Sequence, residues 1–274
     1  MGHDGIFKVP TERVGGVPFS VTKFENAVEF CLNIAERPPA TGVPVRLANS
    51  YCVALASKDR AYQEVMLGHG LNLPDGTPVW LIMFLRAALK GSTLPQRVRG
   101  PSFFVSSLEK SENSEIAHYF IGGTDESMLR MMEKMKQQFP GLRVAGWYAP
   151  PIAPANKTLF DECTERIRAS GASIVWIGLG TPKQDITSSV LAEQTQTVCI
   201  GVGAAFDFFS GTVKEAPRVF RLTGSEWVFR LATEPRRLWR RYLFGNYTFL
   251  AIVLREGLFE LKNKIAVRGW LGRA

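Results

Sequence analysis

The sequence predicts an α/β protein with a mostly parallel sheet, helices on both faces and a C-terminal basic helical appendage. Apolar runs alternate with helical patterns from about residue 45 to residue 210, which is typical of a parallel sheet. Residues 173–179 and 198–202 are apolar almost throughout, as strands buried on both faces are. After residue 215 no clear strand pattern recurs and basic helical stretches follow, which predicts the appendage.

The individual elements follow from local signals in chain order. Pro38 and Pro39 end the first helix, Gly68 ends the second, and one apolar face marks the helix of residues 125–138. Residues 1–20 are rich in Gly, Pro and charge and predict an irregular lead-in. Strands are predicted at residues 45–50, 71–73, 118–121, 142–148, 173–179 and 198–202. Helices are predicted at residues 24–36, 57–68, 77–89, 101–112, 125–138, 157–169, 182–193, 218–232, 235–244 and 248–264.

The excess positive charge of the chain is confined to its last fifth. The net charge is +8, and residues 218–274 contain 12 Lys and Arg against 4 Glu, so the first 217 residues are balanced. A basic tail on a neutral body favours an anionic partner, which could be lipid head groups, phosphates or nucleic acid. The alternative is an ordinary solvated helix face.

Several classes of protein are disfavoured by composition. The four cysteines are widely spaced without a Cys-x-x-Cys pair, and the three histidines lack metal-ligand spacing, so we expect reduced cysteines and no metal. No stretch approaches the roughly 20 apolar residues of a spanning helix. Residues 1–18 lack the apolar core of a signal peptide. These features predict a cytoplasmic protein.

Candidate chemistry lies in the loops that follow predicted strands. In a parallel sheet these loops meet at one edge, where ligands bind. The glycines, among them Gly122 and Gly180, would let a phosphate approach the backbone, although each is also explained as a tight turn. Asp75, followed by Gly76, is either a turn residue or a carboxylate placed as a general base.

Read together, these loops resemble the WecG/TagA/CpsF family of bacterial glycosyltransferases over roughly residues 45–245. The most specific segment is Gly-Leu-Gly-Thr-Pro-Lys-Gln-Asp at residues 178–185, which is similar to the Gly-x-Pro-Lys-Gln-Glu element of the family. Matching segments follow in order at residues 201–207, 210–211, 216–217 and 226–242. Several elements in the right order make a coincidence implausible.

The resemblance implies a Rossmann-like catalytic domain at residues 1–215 and a helical appendage at residues 216–274 that docks on membranes and closes the active site. It also implies an inverting transfer of N-acetylmannosamine, its uronic acid or glucose from a UDP-sugar. The acceptor would be an undecaprenyl-diphosphate-linked sugar in cell-surface polysaccharide synthesis. Neither a metal nor another cofactor is implied.

Site residues are implied by matching the family's motifs. Asp75 matches the catalytic base, Asn49 would hold substrate, Arg97 could pair with phosphate, and Gln184 would contact the donor. Three appendage arginines would neutralise diphosphate, or else form a face that binds lipid head groups: Arg230, Arg237 and Arg240. The sequence departs from the family at Leu47, where a Thr is usual, and at Ser102, where an Asp is common.

The implied location is the cytoplasm, with peripheral attachment to the anionic inner face of the cell membrane. We expect no nucleic-acid partner, and the sequence is compatible with a homo-oligomer. One alternative is an NAD-dependent oxidoreductase, but the full Gly-x-Gly-x-x-Gly fingerprint and its acidic partner are missing. A second is a nucleic-acid-binding protein that uses the basic tail.

Overall fold

A computed structural model describes residues 9–37 and 40–271, except for the side chains of Arg237 and residues 260–271. The strands are β1 (Thr11–Val14), β2 (Val17–Ser20), β3 (Val43–Ala48), β4 (Leu71–Pro74), β5 (Ala117–Gly122), β6 (Arg143–Tyr148), β7 (Ile174–Gly178) and β8 (Val198–Gly201). The helices before residue 215 are α1 (Phe24–Glu36), α2 (Ser50–Ala56), α3 (Arg60–Leu67), α4 (Thr77–Lys90), α5 (Gly100–Ser111), α6 (Asp125–Gln138), α7 (Lys157–Ser170), α8 (Lys183–Thr195) and α9 (Ala205–Ser210). The helices after it are α10 (Arg218–Leu222), α11 (Glu226–Thr233) and α12 (Pro235–Leu271).

Six parallel strands form the main sheet in the order β4-β3-β8-β7-β5-β6. Alternate residues of β7 enter different cores: Ile174 and Trp176 pack with α1, α5, α6 and α9, whereas Val175 and Ile177 pack with α7 and α8. Because successive side chains of a strand point to opposite faces, helices cover the sheet on both sides. The predicted fold class is confirmed.

Residues 11–20 form a β-hairpin, so the expected irregular lead-in is wrong for this part. Gly15 and Gly16 connect the two strands with φ values of 61° and 78°. Two successive positive φ values suit a tight hairpin turn, and glycine adopts them without steric cost. Val14, Val17 and Phe19 are buried against α2, α3 and α4, which explains why this short hairpin is held.

The C-terminal helices differ from the predicted three. The predicted helix at residues 218–232 is broken between Leu222 and Glu226, and the two predicted helices from residue 235 form the single helix α12. Helix α12 packs against α2, a helix that the sequence pattern does not predict. At their crossing a Cβ on Gly245 would lie 3.2 Å from Tyr51 Cδ2, so glycine permits the close approach.

Phe249 joins α12 to the body of the protein. Its side chain is 1% exposed and packs in the core that contains Val53 and Phe19. We expect Phe249→Ala to lower the free energy of unfolding by about 3 to 5 kcal/mol, because the truncation removes buried apolar surface and leaves a cavity. Denaturant unfolding followed by circular dichroism measures this loss.

The adjacent Leu250 is a matched control, since its side chain is 57% exposed on the same helix. Leu250→Ala should change the free energy of unfolding by less than about 0.5 kcal/mol. Equal losses in the two variants would show that α12 does not pack as described.

Among the described residues, no helix combines the length and the apolar character needed to cross a membrane.

Candidate active site

A cavity of about 410 Å³ lies beyond the carboxyl ends of β3, β4, β7 and β8. Its floor consists of the loops that follow these strands, which is where ligands bind in parallel sheets. Its roof consists of the loop between α10 and α11 together with residues of α11 and α12. We call residues 218–246 the cap. Asp75 and the glycine loops that follow β7 and β8 therefore lie in one cavity that the basic C-terminal segment covers.

Asp75 follows β4 and is half-buried in the cavity wall. Its backbone N–H donates to Ala48 O at 2.9 Å, and Gly76, with φ +83°, turns the chain into α4. Burial raises the pKa of the Asp75 carboxyl to about 6, and the negative charge of Glu226 adds to this rise, while Arg99 and Arg97 oppose it. Near pH 7 Asp75 is thus mostly ionised and basic enough to accept a proton.

Gln184 fastens two glycine loops to each other. Its Oε1 accepts hydrogen bonds from the backbone N–H of Gly180 at 3.1 Å and of Gly203 at 3.0 Å. Gly180 lines the cavity with φ +75°, and no atom lies within 4 Å of the position that its Cβ would occupy. The loop surface at Gly180 is therefore open to a ligand, and the side-chain amide oxygen of Gln184 holds the two loops in place beside that surface.

Asn49 lines the cavity next to Asp75 and caps a helix. It follows β3, and its Oδ1 accepts from Tyr51 N at 3.0 Å at the start of α2. Leu47, at the position where the resemblance implies Thr, also lines the cavity. This part of the wall is therefore apolar, without the hydroxyl that Thr would supply.

Arg97 lines the cavity and connects the cap to the sheet. Its Nη1 donates to Thr77 Oγ1 at 3.1 Å and its Nη2 donates to Arg221 O at 2.6 Å. Thr77 Oγ1 in turn donates to Gly224 O at 3.0 Å. Arg97, predicted to pair with phosphate, thus holds the first turn of the cap over the cavity.

Arg99 and Glu226 form a second, charged connection that sequence analysis missed. Arg99 Nε and Nη2 each donate to a carboxylate oxygen of Glu226 at 2.8 Å, and Glu215 lies 2.7 Å from Arg99 Nη2. Such paired N–H···O bonds are strong and directional. The sequence signals were weak: Glu226 stands in a segment that carries the family resemblance, and Arg99 stands two residues after Arg97.

The cap arginines occupy different positions. Arg230 lines the cavity with its guanidinium 5.3 Å from the Phe208 ring centre, and its buried Nε has no hydrogen-bond partner among the described residues. Arg240 does not line the cavity, whereas Arg241 does. Successive residues of a helix point about 100° apart, so only one of this pair can face inward. The side chain of Arg237 lies outside the described residues.

Gly122 is not part of the cavity. It ends β5 with φ +137°, and a Cβ there would lie 2.6 Å from Gly178 O. The close approach of β5 and β7 explains this glycine, so the predicted contact between Gly122 and substrate finds no place in the cavity.

In addition to Glu226, Arg230 and Arg241, the cap lines the cavity with the side chains of Trp227, Tyr242 and Asn246. Asn246 Oδ1 accepts from Ser50 Oγ at 2.8 Å, which ties α12 to α2. Within the described part of the chain, no three His, Cys, Asp or Glu residues are grouped so that they could hold a metal.

Comparison with known proteins finds a matching family and similar relatives. The model of the glycosyl transferase WecG/TagA/CpsF family matches residues 12–263. A Bacillus spizizenii W23 protein, N-acetylglucosaminyldiphosphoundecaprenol N-acetyl-beta-D-mannosaminyltransferase, is 32% identical over 189 residues, which cover 69% of this chain and 70% of the relative.

Proposed function

Because the chain belongs to the WecG/TagA/CpsF family of glycosyl transferases, we propose that it transfers N-acetylmannosamine from a UDP donor. The proposed acceptor is N-acetylglucosamine linked through diphosphate to a polyprenol, by analogy with the named activity of the Bacillus spizizenii relative. The family makes this chain a glycosyltransferase, so the oxidoreductase and nucleic-acid-binding interpretations are set aside.

The observation that carries the proposal is the presence of Asp75, the glycine loops and cap arginines in one cavity. Asp75 would take the proton of the acceptor hydroxyl while its oxygen attacks the anomeric carbon. The bond from that carbon to UDP breaks on the opposite face, and UDP leaves with the bonding electrons. One displacement of this kind inverts the anomeric centre and needs one base.

The departing diphosphate needs positive charge and hydrogen-bond donors. Arg230 is suited to this because its side chain lines the cavity and its buried Nε is unsatisfied within the described structure. A guanidinium offers directional hydrogen bonds to phosphate oxygens. The open loop at Gly180 and the start of α8 would receive the same group from the sheet side.

Peripheral attachment at the inner face of the cell membrane is part of the proposal, because a polyprenyl acceptor stays in the bilayer. Helix α12 exposes several large apolar side chains: Leu243, Phe244, Tyr247, Leu250, Leu254 and Leu258. Arginines of the same helix would add attraction of about 1 kcal/mol each to an anionic surface.

A transfer assay tests this function. The native chain is incubated with UDP-N-acetylmannosamine, its uronic acid analogue, UDP-glucose or UDP-N-acetylglucosamine, and a short-chain polyprenyl-diphosphate N-acetylglucosamine. We expect a disaccharide lipid of inverted anomeric configuration with the first donor, detected by mass spectrometry and NMR. Transfer from another UDP-sugar alone would refute the sugar, and no transfer from any of them would refute the function.

A further inference from the structure

A surface groove of about 390 Å³ adjoins the active-site cavity between α2 and α12. The groove and the cavity share three lining residues, Tyr51, Thr181 and Arg241. Arg241 lies at this junction, with its guanidinium 4.7 Å from the centre of the Tyr51 ring. A ligand lying in the groove could therefore extend past Arg241 into the cavity.

The groove is cationic. The described residues that line it include Lys58, Arg240 and Arg241 but no acidic residue. None of these three cations has a carboxylate within 4.0 Å among the described residues, unlike Arg99, which two glutamates neutralise. Three positive charges without a carboxylate at ion-pair distance along one short groove favour an anionic ligand with more than one charge.

The groove runs along α12, and its lining contains apolar as well as cationic side chains. Arg241, Gly245 and Thr248 line it in succession, and Lys58 Nζ donates to Thr248 Oγ1 at 3.3 Å. Seven residues of helix span about 10 Å, so the cations reach from the cavity to the outer end of the groove. The exposed ring of Phe244 also lines the groove, so apolar surface lies beside the charges.

We propose that this groove binds the diphosphate of the lipid-linked acceptor. The acceptor sugar would then reach past Tyr51 into the cavity, and the first lipid units would follow Phe244 and the exposed apolar side chains of α12. An outward-opening groove with apolar surface beside its cations suits a lipid diphosphate better than the diphosphate of a water-soluble nucleotide. This inference rests on the proposed function.

Charge reversal at the outer cation tests the proposal. Lys58 is exposed, so the Lys58→Glu variant should fold normally. The substitution replaces an attraction between residue 58 and the diphosphate of the acceptor with a repulsion. With the short-chain polyprenyl-diphosphate N-acetylglucosamine in solution, we expect the KM for this acceptor to rise about tenfold or more. The KM for the UDP-sugar should stay within about twofold. Arg241→Ala should also raise the KM for the acceptor, but Lys58→Glu is the more selective test because Arg241 lines the active-site cavity as well as the groove.

Lys136→Glu is the matched control, because Lys136 is an exposed lysine of α6 that lines neither the groove nor the cavity. It should leave both KM values unchanged. A Lys58→Glu variant that behaves like this control would overturn the proposal, as would a rise only in the KM for the UDP-sugar. A defect seen only with acceptor in anionic vesicles would also overturn it, because the groove would then bind head groups.

Transfer by the native chain separates this inference from the function on which it rests. If the native chain transfers no sugar, the proposed function fails. If the native chain is active and Lys58→Glu has no effect on the KM for the acceptor, only the groove assignment fails.

Discussion

Asp75→Asn is expected to lower kcat by about 10³-fold while the protein still folds and binds UDP. The amide is nearly isosteric with the carboxylate but cannot accept a proton, and general base catalysis contributes about 10² to 10⁴ to rate. Burial raises the pKa of Asp75 to about 6, so the native residue is poised for this role. Steady-state transfer assays measure kcat, and calorimetric titration with UDP measures binding.

The control for this substitution is Asp125→Asn, which changes an exposed carboxylate at the start of α6. It should leave kcat unchanged. An Asp75→Asn variant whose kcat stays within about threefold of the native value would exclude Asp75 as the base, since loss of a general base costs at least about 10²-fold. That result would leave the family assignment intact.

Arg99→Ala is expected to lower kcat/KM by about 100-fold at pH 7. Arg99 is 8% exposed, and its removal would leave Glu215 and Glu226 without their shared cation at the edge of the cap. Small displacements of groups around a reacting centre can cost this much. The free energy of unfolding should fall by about 2 to 3 kcal/mol, less than for fully buried pairs because both glutamates keep some exposure.

The pH dependence distinguishes an electrostatic role of this pair from a purely structural one. Asp75 acts as a base only when ionised, so native kcat/KM should rise with pH through a midpoint near its pKa of about 6. Arg99 lowers the pKa of Asp75 and Glu226 raises it. We therefore expect Arg99→Ala to move the midpoint upward and Glu226→Gln to move it downward, although both loosen the cap.

Two substitutions serve as controls. Arg99→Lys keeps the positive charge but loses the paired hydrogen bonds. The midpoint of its pH profile should therefore stay near the native value, and its kcat/KM should fall less than that of Arg99→Ala. Arg60→Ala removes a partner of an exposed ion pair on α3 and should change neither quantity. Shifts in the same direction for Arg99→Ala and Glu226→Gln would refute electrostatic tuning of Asp75.

The sheet and its loops were predictable because their signals are local. Buried strands such as β7 and β8 are apolar runs, and the residues that follow a strand must lie at one edge of a parallel sheet. Asp75, Asn49 and Gly180 could thus be placed together from their positions in the chain. Gly122 satisfied the same rule, but its glycine serves the close packing of β5 on β7.

The cap shows why local signals do not suffice. Basic residues cover several faces of α12, since Arg236, Arg240 and Arg241 follow one another closely, so the pattern gives no preferred face. The packing of Phe249 and Gly245 against the body decides the rotation of the helix, and that rotation turns Arg241 inward.

The sequence by itself determined the α/β class, the family and the strand-end position of Asp75, because periodicity and short motifs encode them within a few residues. Only the tertiary structure decided which charges meet. Arg99 and Glu226 are 127 residues apart, and their pairing depends on how the cap folds back over the sheet. Burial in the cavity raises the pKa of Asp75 first, and the charges of Glu226 and Arg99, which the cap and the sheet bring close to it, act in opposite directions on that pKa.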